Sequence, residues 1–180
     1  LIKAQEAVIE KANGAYKTAG MSANDYMETV TSMSAALIQS LDGDTVAAAE
    51  KADMAITDMS DNANKMGSDI ESIKNAYSGF AKANYTMLDN LKLGYGGTKE
   101  EMQRLLDDAS KLSGIKYDIS SYSDVVDAIH VVQTEMGITG TTAKEAATTI
   151  QGSIASAKAA WTNLQTGLAD ENADLDALVG

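Results

Sequence analysis

An all-α fold is what this sequence predicts: about seven helices joined by short glycine-containing turns, bundle-like, with little or no sheet. Three observations predict it. Apolar residues recur three and four positions apart along most of the chain, which is the period of one helix face. Capping residues stand where the periodic runs begin, and glycines stand where they end. The 180 residues include no proline, so only glycine and caps force a helix to stop.

The kind of core follows from the apolar residues. Hydrophobic side chains make up 44% of the chain, but aromatics only 5%, and alanine and methionine carry much of the rest. Small side chains let helices approach closely, and methionine fills irregular gaps. A shallow core of helices packed on helices is expected.

Taken in order, residues 1–13 have a helical pattern (Ile2, Ala7, Val8, Ile9, Ala12) that breaks toward Gly14 and Gly20. Ser22 or Asn24 can cap the next helix, with Tyr26, Val30, Met33, Leu37 and Leu41 on its apolar face and Gly43 at its end. Asp44 is a good cap for a third helix, whose seam of Ala49, Ala52, Ile56, Met59, Ala63 and Met66 has heptad spacing. Gly67 interrupts the seam. Ser68 with Glu71 reads as a capping box, in which each side chain satisfies a free amide at the helix start, and Ile70, Ile73, Tyr77 and Phe80 resume the period.

The stretch Tyr85–Leu106 organises the chain. An apolar run (Met87, Leu88, Leu91, Leu93) enters a corner at Gly94, Gly96 and Gly97. Thr98 then opens a helix, with Glu101 completing a second capping box. Met102, Leu105, Leu106, Ala109 and Leu112 line one face of that helix, and Gly114 stops it. Ile115–Ser121 alternates apolar and polar, with Ile115, Tyr117 and Ile119 on one side; lacking a partner strand, it reads as an extended connector. Ser123 or Asp124 restarts helix, with Val125, Val126, Ile129, Val132 and Met136 inward and Gly137 closing. Thr142 and Glu145 form a third box, opening a long helix with a seam from Ala143 through Ile150, Ile154, Trp161 and Leu164 to Leu168. Gly152 and Gly167 lie off that seam, and an acidic exit (Asp170, Glu171, Asp174, Asp176) follows. The whole reads as a single helical domain over 1–180, cut from a larger chain, with two lobes (1–93 and 98–170) hinged at Gly94–Gly97.

The residues nominate no catalytic, cofactor-binding or metal-ligating group. The glycine corner departs from the phosphate-loop patterns: Gly97 is followed by Thr98 and then Lys99, the wrong order for a Walker loop, and no strand precedes it. His130 is the only histidine, one turn after Asp127 in a valine-rich helix, and reads as a packing residue. The Asp42–Gly43–Asp44 run lacks the glycine and glutamate that a calcium loop needs further on, so it reads as a helix stop and a cap. Asp107 and Asp108 read as solvated acids, and Trp161 as core. Without cysteine there is neither a disulfide framework nor a thiolate metal site. A net charge of −12 opposes direct nucleic-acid binding and anionic membrane surfaces, and no apolar run is long enough to span a bilayer.

The wording of the chain adds what its periods do not. The run NANKMGSDIESIKNAYSGFAKANYTMLDNLKLGYGGTKEEMQRLL (Asn62–Leu106) resembles the tape measure proteins of long-tailed bacteriophages and prophages. So do ADMAITDMSDN (Ala52–Asn62), YDISSYSDVVDAIHVVQTEMGITGTTAKEAATTIQGS (Tyr117–Ser153) and KAAWTNLQTGLAD (Lys158–Asp170). The likeness implies a structural, non-enzymatic component of the virion tail, present in the host cytoplasm during assembly. It would help to set tail length and would self-associate and meet the tail tube protein and tail assembly chaperones. It carries over no site residue and implies no cofactor. A ruler needs continuous helix at about 1.5 Å per residue. The glycine breaks here imply a folded module beside the ruler. The alternative is a generic helical protein-interaction domain of an acidic cell-surface or secreted protein. A wall hydrolase, sometimes fused to tape measures, would need paired acids in a cleft or a histidine metal site.

Overall fold

The computed structural model describes residues 2–145 and 147–148, apart from the side chains of residues 16–18. It is all-α, as the periodicity predicts. Six α-helices and one 3-10 turn are found among the described residues, with no strand. Contacts divide the chain into one compact unit, Leu1–Lys144, and a second, Glu145–Gly180. The Gly94–Gly97 corner lies inside the first unit and is not where contacts divide. Helix resumes at residues 141–145 and 147–148; the rest of the long final helix, its glycines, Trp161 and the acidic exit lie outside the described residues.

Helix α1 (Ile2–Thr18) runs straight through Gly14. The predicted break there does not occur. A helix absorbs one interior glycine at a cost of about 1 kcal/mol, and the buried alanines on either side, Ala12 and Ala15, hold it against its neighbours. Helix α2 (Ala23–Ser40) is capped by Ser22, whose hydroxyl accepts the Asp25 N–H at 3.1 Å. Its face of Tyr26, Val30, Met33 and Leu37 is buried as the spacing requires. Asp42 and Gly43 then adopt positive φ (52° and 88°), and the Asp44 carboxylate caps α3 by accepting from Val46 and Ala47.

Helix α3 (Thr45–Met66) is the centre of the unit, in contact with α1, α2, the next helix (Ile70–Phe80), the helix Tyr122–Glu135 and the 3-10 turn. Between Ala55 and Asn62 every residue except Thr57 is buried, so this helix has apolar and polar neighbours on nearly all sides. Within its first half, Asp53 gathers the Lys11 ammonium of α1 and the Tyr26 hydroxyl of α2, the latter at 2.7 Å.

Helix α4 (Ile70–Phe80) begins one residue later than the predicted box. Asp69 is the cap, accepting the Ser72 N–H at 2.9 Å, while the Ser68 hydroxyl is buried beneath the turn. Aspartate caps as well as serine, and its charge also suits the helix N-terminus. Tyr77, Phe80 and Tyr85 form an aromatic row with centroids 5.7 and 6.1 Å apart. The 3-10 turn Leu88–Leu91 then drives Leu88 and Leu91 fully into the core.

Helix α5 (Lys99–Ser113) is capped by the Thr98 hydroxyl, but Glu101 does not close the predicted reciprocal box. Its carboxylate passes the cap residue and takes the Gly96 N–H at 2.9 Å. Met102, Leu105, Leu106 and Ala109 are buried, whereas Leu112, in the last turn of α5, is 49% exposed. The segment 115–121 is a connector, with Tyr117 buried and Ile115 turned to solvent.

Helix α6 (Tyr122–Glu135) starts before the predicted Ser123 or Asp124, because Ser121 is its cap. The Ser123 N–H is taken by Ser40 of α2, and Asp124 reaches back to the Asp118 N–H. Val125, Val126, Ile129 and Val132 point inward, but Met136 lies beyond the last turn and is 44% exposed. Helix α6 packs along α5 and across α3 and α2, and the Tyr122 hydroxyl donates to the Tyr77 carbonyl of α4 at 3.1 Å.

Candidate functional site

The polar chemistry of this unit collects on one line, where α3 meets α6. Helical spacing brings the groups together. Asp58 and Asn62 are four apart on α3, and His130 and Gln133 are three apart on α6, so each pair shares a face. His130 Nδ1 lies 3.0 and 2.9 Å from the two Asp58 carboxylate oxygens. The Gln133 amide donates to the Asp58 carbonyl at 3.2 Å. The Asn62 amide donates both to Gln133 Oε1 at 2.7 Å and to the Leu91 carbonyl at 2.9 Å, which ties in the 3-10 turn.

One turn along, Asp61 is fully buried, and its carboxylate accepts the N–H groups of Gly140 (2.7 Å) and Thr142 (2.8 Å). This is a helix cap supplied from a distant element. It replaces the predicted Thr142–Glu145 box: the Thr142 hydroxyl is buried without a hydrogen-bond partner among the described residues. At the other end of the line, Lys51 of α3 pairs with Asp127 of α6.

The electrostatics are those of a cross-link. Burial raises the Asp58 pKa, against the His130 hydrogen bond, which lowers it. The same bond to Asp58 raises the His130 pKa, with desolvation opposing. An imidazolium facing a buried carboxylate satisfies both groups. A carboxylate behind Nδ1 also orients an imidazole for proton transfer in hydrolases. Here no hydroxyl hydrogen-bonds to Nε2 among the described residues, so the nucleophile half of that arrangement is not assembled. No three His, Cys, Asp or Glu side chains group to hold a metal among the described residues.

The residues weighed in the sequence fall as follows. His130 packs between helices, but its partner is Asp58 and not the nearer Asp127. Asp44 is a cap. Asp107 accepts from Gln103, while Asp108 binds the Tyr95 hydroxyl and Lys111. At the glycine corner, Glu101 occupies the Gly96 N–H and Arg104 donates to the Gly94 carbonyl at 2.8 Å, with its guanidinium 4.3 Å over the Tyr95 ring. A β-carbon at Gly97 would lie 2.3 Å from the Thr86 carbonyl oxygen. Glycine is there because two backbones touch.

Sequence reasoning missed Asp58, Asp61, Asn62 and Gln133. The available signal was the matched spacing of polar residues on two otherwise apolar helices. No family model, curated protein or solved structure matches the chain. No described helix is long and apolar enough to cross a membrane.

Proposed function

We propose that this chain is a folded helical module of a tape measure protein from a long-tailed phage or prophage. It is a structural part of the tail that contributes to tail assembly and length and performs no catalysis of its own. The observation that carries the reading is the wording of Asn62–Leu106 and its flanking runs, which resemble that family. The fold is compatible with it: the end of α3, then α4, the 3-10 turn and α5 occupy that region as separate helical segments, tied together by buried side chains. Under this reading the module works in the virion tail, after assembly in the host cytoplasm. Its partners are other copies of the chain, the tube protein and tail chaperones, and its −12 charge keeps it off the DNA backbone.

The test uses purified tails from the phage or induced prophage that encodes the chain. Mass spectrometry detects peptides from residues 2–144 in the tails if the reading holds, and their absence overturns it. Tails from an in-frame deletion of those residues then separate module from ruler. Shortening by about 1.5 Å per deleted residue means extended helix, and far less means a folded block.

A further inference from the structure

Helix α1 carries a chemically labile step. Asn13–Gly14 is the one Asn–Gly pair in the 180 residues, and it stands in mid-helix with the Asn13 side chain exposed. Asparagine loses its amide nitrogen most readily before glycine, because glycine places no side chain beside the attacking backbone nitrogen. A β-carbon at Gly14 would meet nothing within 4 Å, so no neighbouring element crowds the step.

The fold decides when the reaction can run. While α1 stands, the Gly14 N–H belongs to the i to i−4 ladder, and its nitrogen cannot turn toward the Asn13 side chain. The helix is thinly anchored, however. Among its described side chains the buried ones are Ala4, Ala12 and Ala15, whereas α2 buries Tyr26, Val30, Met33 and Leu37. Burial stabilises in proportion to the apolar surface removed from water, so a face of alanines contributes least. The interior glycine weakens the helix further. Elements with few buried apolar contacts open locally, well short of global unfolding.

We infer that Asn13 is a site of spontaneous deamidation, gated by local opening of α1. In the opened segment the Gly14 nitrogen attacks Cγ of Asn13. The N–Cγ bond forms, the bond from Cγ to the side-chain nitrogen breaks, and the Gly14 proton leaves with that nitrogen as ammonia. Water then opens the cyclic imide. Cleavage at Cγ leaves aspartate. Cleavage at the Asn13 backbone carbonyl leaves isoaspartate, with the chain rerouted through the side chain. That product lengthens the backbone by one carbon, in the turn that carries Ala12, Ala15 and the Lys11–Asp53 pair, so α1 cannot re-form across it. The site exists whether or not the chain serves in a tail.

The test ages the full 180-residue chain beside a free peptide of residues 9–19 in mildly alkaline buffer. Mass spectrometry of the tryptic peptide 12–17, with the aspartate and isoaspartate forms separated by chromatography, follows conversion. Expected in the folded chain is conversion at Asn13 about ten- to a hundredfold slower than in the free peptide, yet faster than at any other asparagine. Glu10→Gly, an exposed change within α1, speeds it about fivefold. Gly97→Ala, which destabilises the unit at the glycine corner, leaves it unchanged, and Gly14→Ala slows it at least about tenfold. In aged material the isoaspartate form loses hydrogen-exchange protection across α1, while Asn13→Asp keeps it. A rate equal to that of the free peptide overturns the gating. No conversion at Asn13 over about a hundred half-lives of the peptide overturns the site. Acceleration by Gly97→Ala as large as that by Glu10→Gly assigns the reaction to global unfolding and overturns the local opening.

Discussion

His130 Nδ1 of α6 stands 2.9 Å from Oδ2 of Asp58, a carboxylate of α3 that is 1% exposed. Both pKa values are raised in the fold, His130 chiefly by the bond to Asp58 and Asp58 chiefly by burial. The sign is the same for both: the folded state holds protons more tightly than the unfolded chain, so stability falls as pH rises. The histidine contribution is complete below its ordinary value of about 6.5 and is lost as pH climbs through the raised value. Chemical denaturation from pH 6 to 9 therefore shows declining stability, and Asp58→Asn flattens the decline. His130→Ala costs about 2 kcal/mol near neutral pH, a discount from the usual buried-pair figure because the imidazole is 33% exposed. An unchanged pH slope in Asp58→Asn would refute the assignment.

Asp61→Ala removes the acceptor for two backbone N–H groups at once. The expected loss is about 3 kcal/mol, and Asp61→Asn, which keeps one acceptor oxygen, loses less. Hydrogen exchange localises the effect: the Gly140 and Thr142 amides exchange much faster in Asp61→Ala, while the amides of α5 follow the global stability. Equal acceleration everywhere would mean that Asp61 supports the whole core and not that junction.

Two glycines separate backbone contact from helix propensity. Gly97→Ala forces a β-carbon against the Thr86 carbonyl and destabilises by about 2 kcal/mol or more, because two strands of backbone must part. Gly14→Ala meets nothing within 4 Å, lies inside α1, and stabilises by about 0.5–1 kcal/mol, a few degrees in Tm. Thermal melts of the two variants moving in the same direction would contradict this account.

The Tyr77 hydroxyl is fully buried and has no hydrogen-bond partner among the described residues, and burial holds its pKa well above 10. Deleting it removes an unmet desolvation cost while keeping the ring against Phe80. Tyr77→Phe is therefore expected to raise stability by about 1 kcal/mol in urea unfolding. A loss of that size would show that the hydroxyl does bind something.

What could be read in advance was the apolar period and the caps. Ser22, Asp44 and Thr98 cap where their chemistry says, and Tyr26, Val30, Met33, Leu37, Ile56 and Met59 are buried where their spacing says. The errors share a cause. A cap is chosen by which side chain reaches a free N–H in three dimensions, so Asp69 displaced Ser68, Ser121 displaced Ser123, and Asp61 displaced a local box at Thr142. Gly14 reads as a stop in one dimension but is only a weak link inside a helix held from two sides. The α3–α6 polar line was hidden because Asp58, Asp61 and Asn62 lie off the heptad seam, where pattern reading assigns side chains to solvent. Their burial depends on α6 folding back from more than seventy residues away.

The Asp61 clasp also has a mechanical meaning. Through the Gly140 and Thr142 amides and the Thr141 hydroxyl, one residue of α3 fastens the whole segment that follows α6. A pull on Gly140–Thr142 therefore loads Asp61 before it loads the α3–α6 pair.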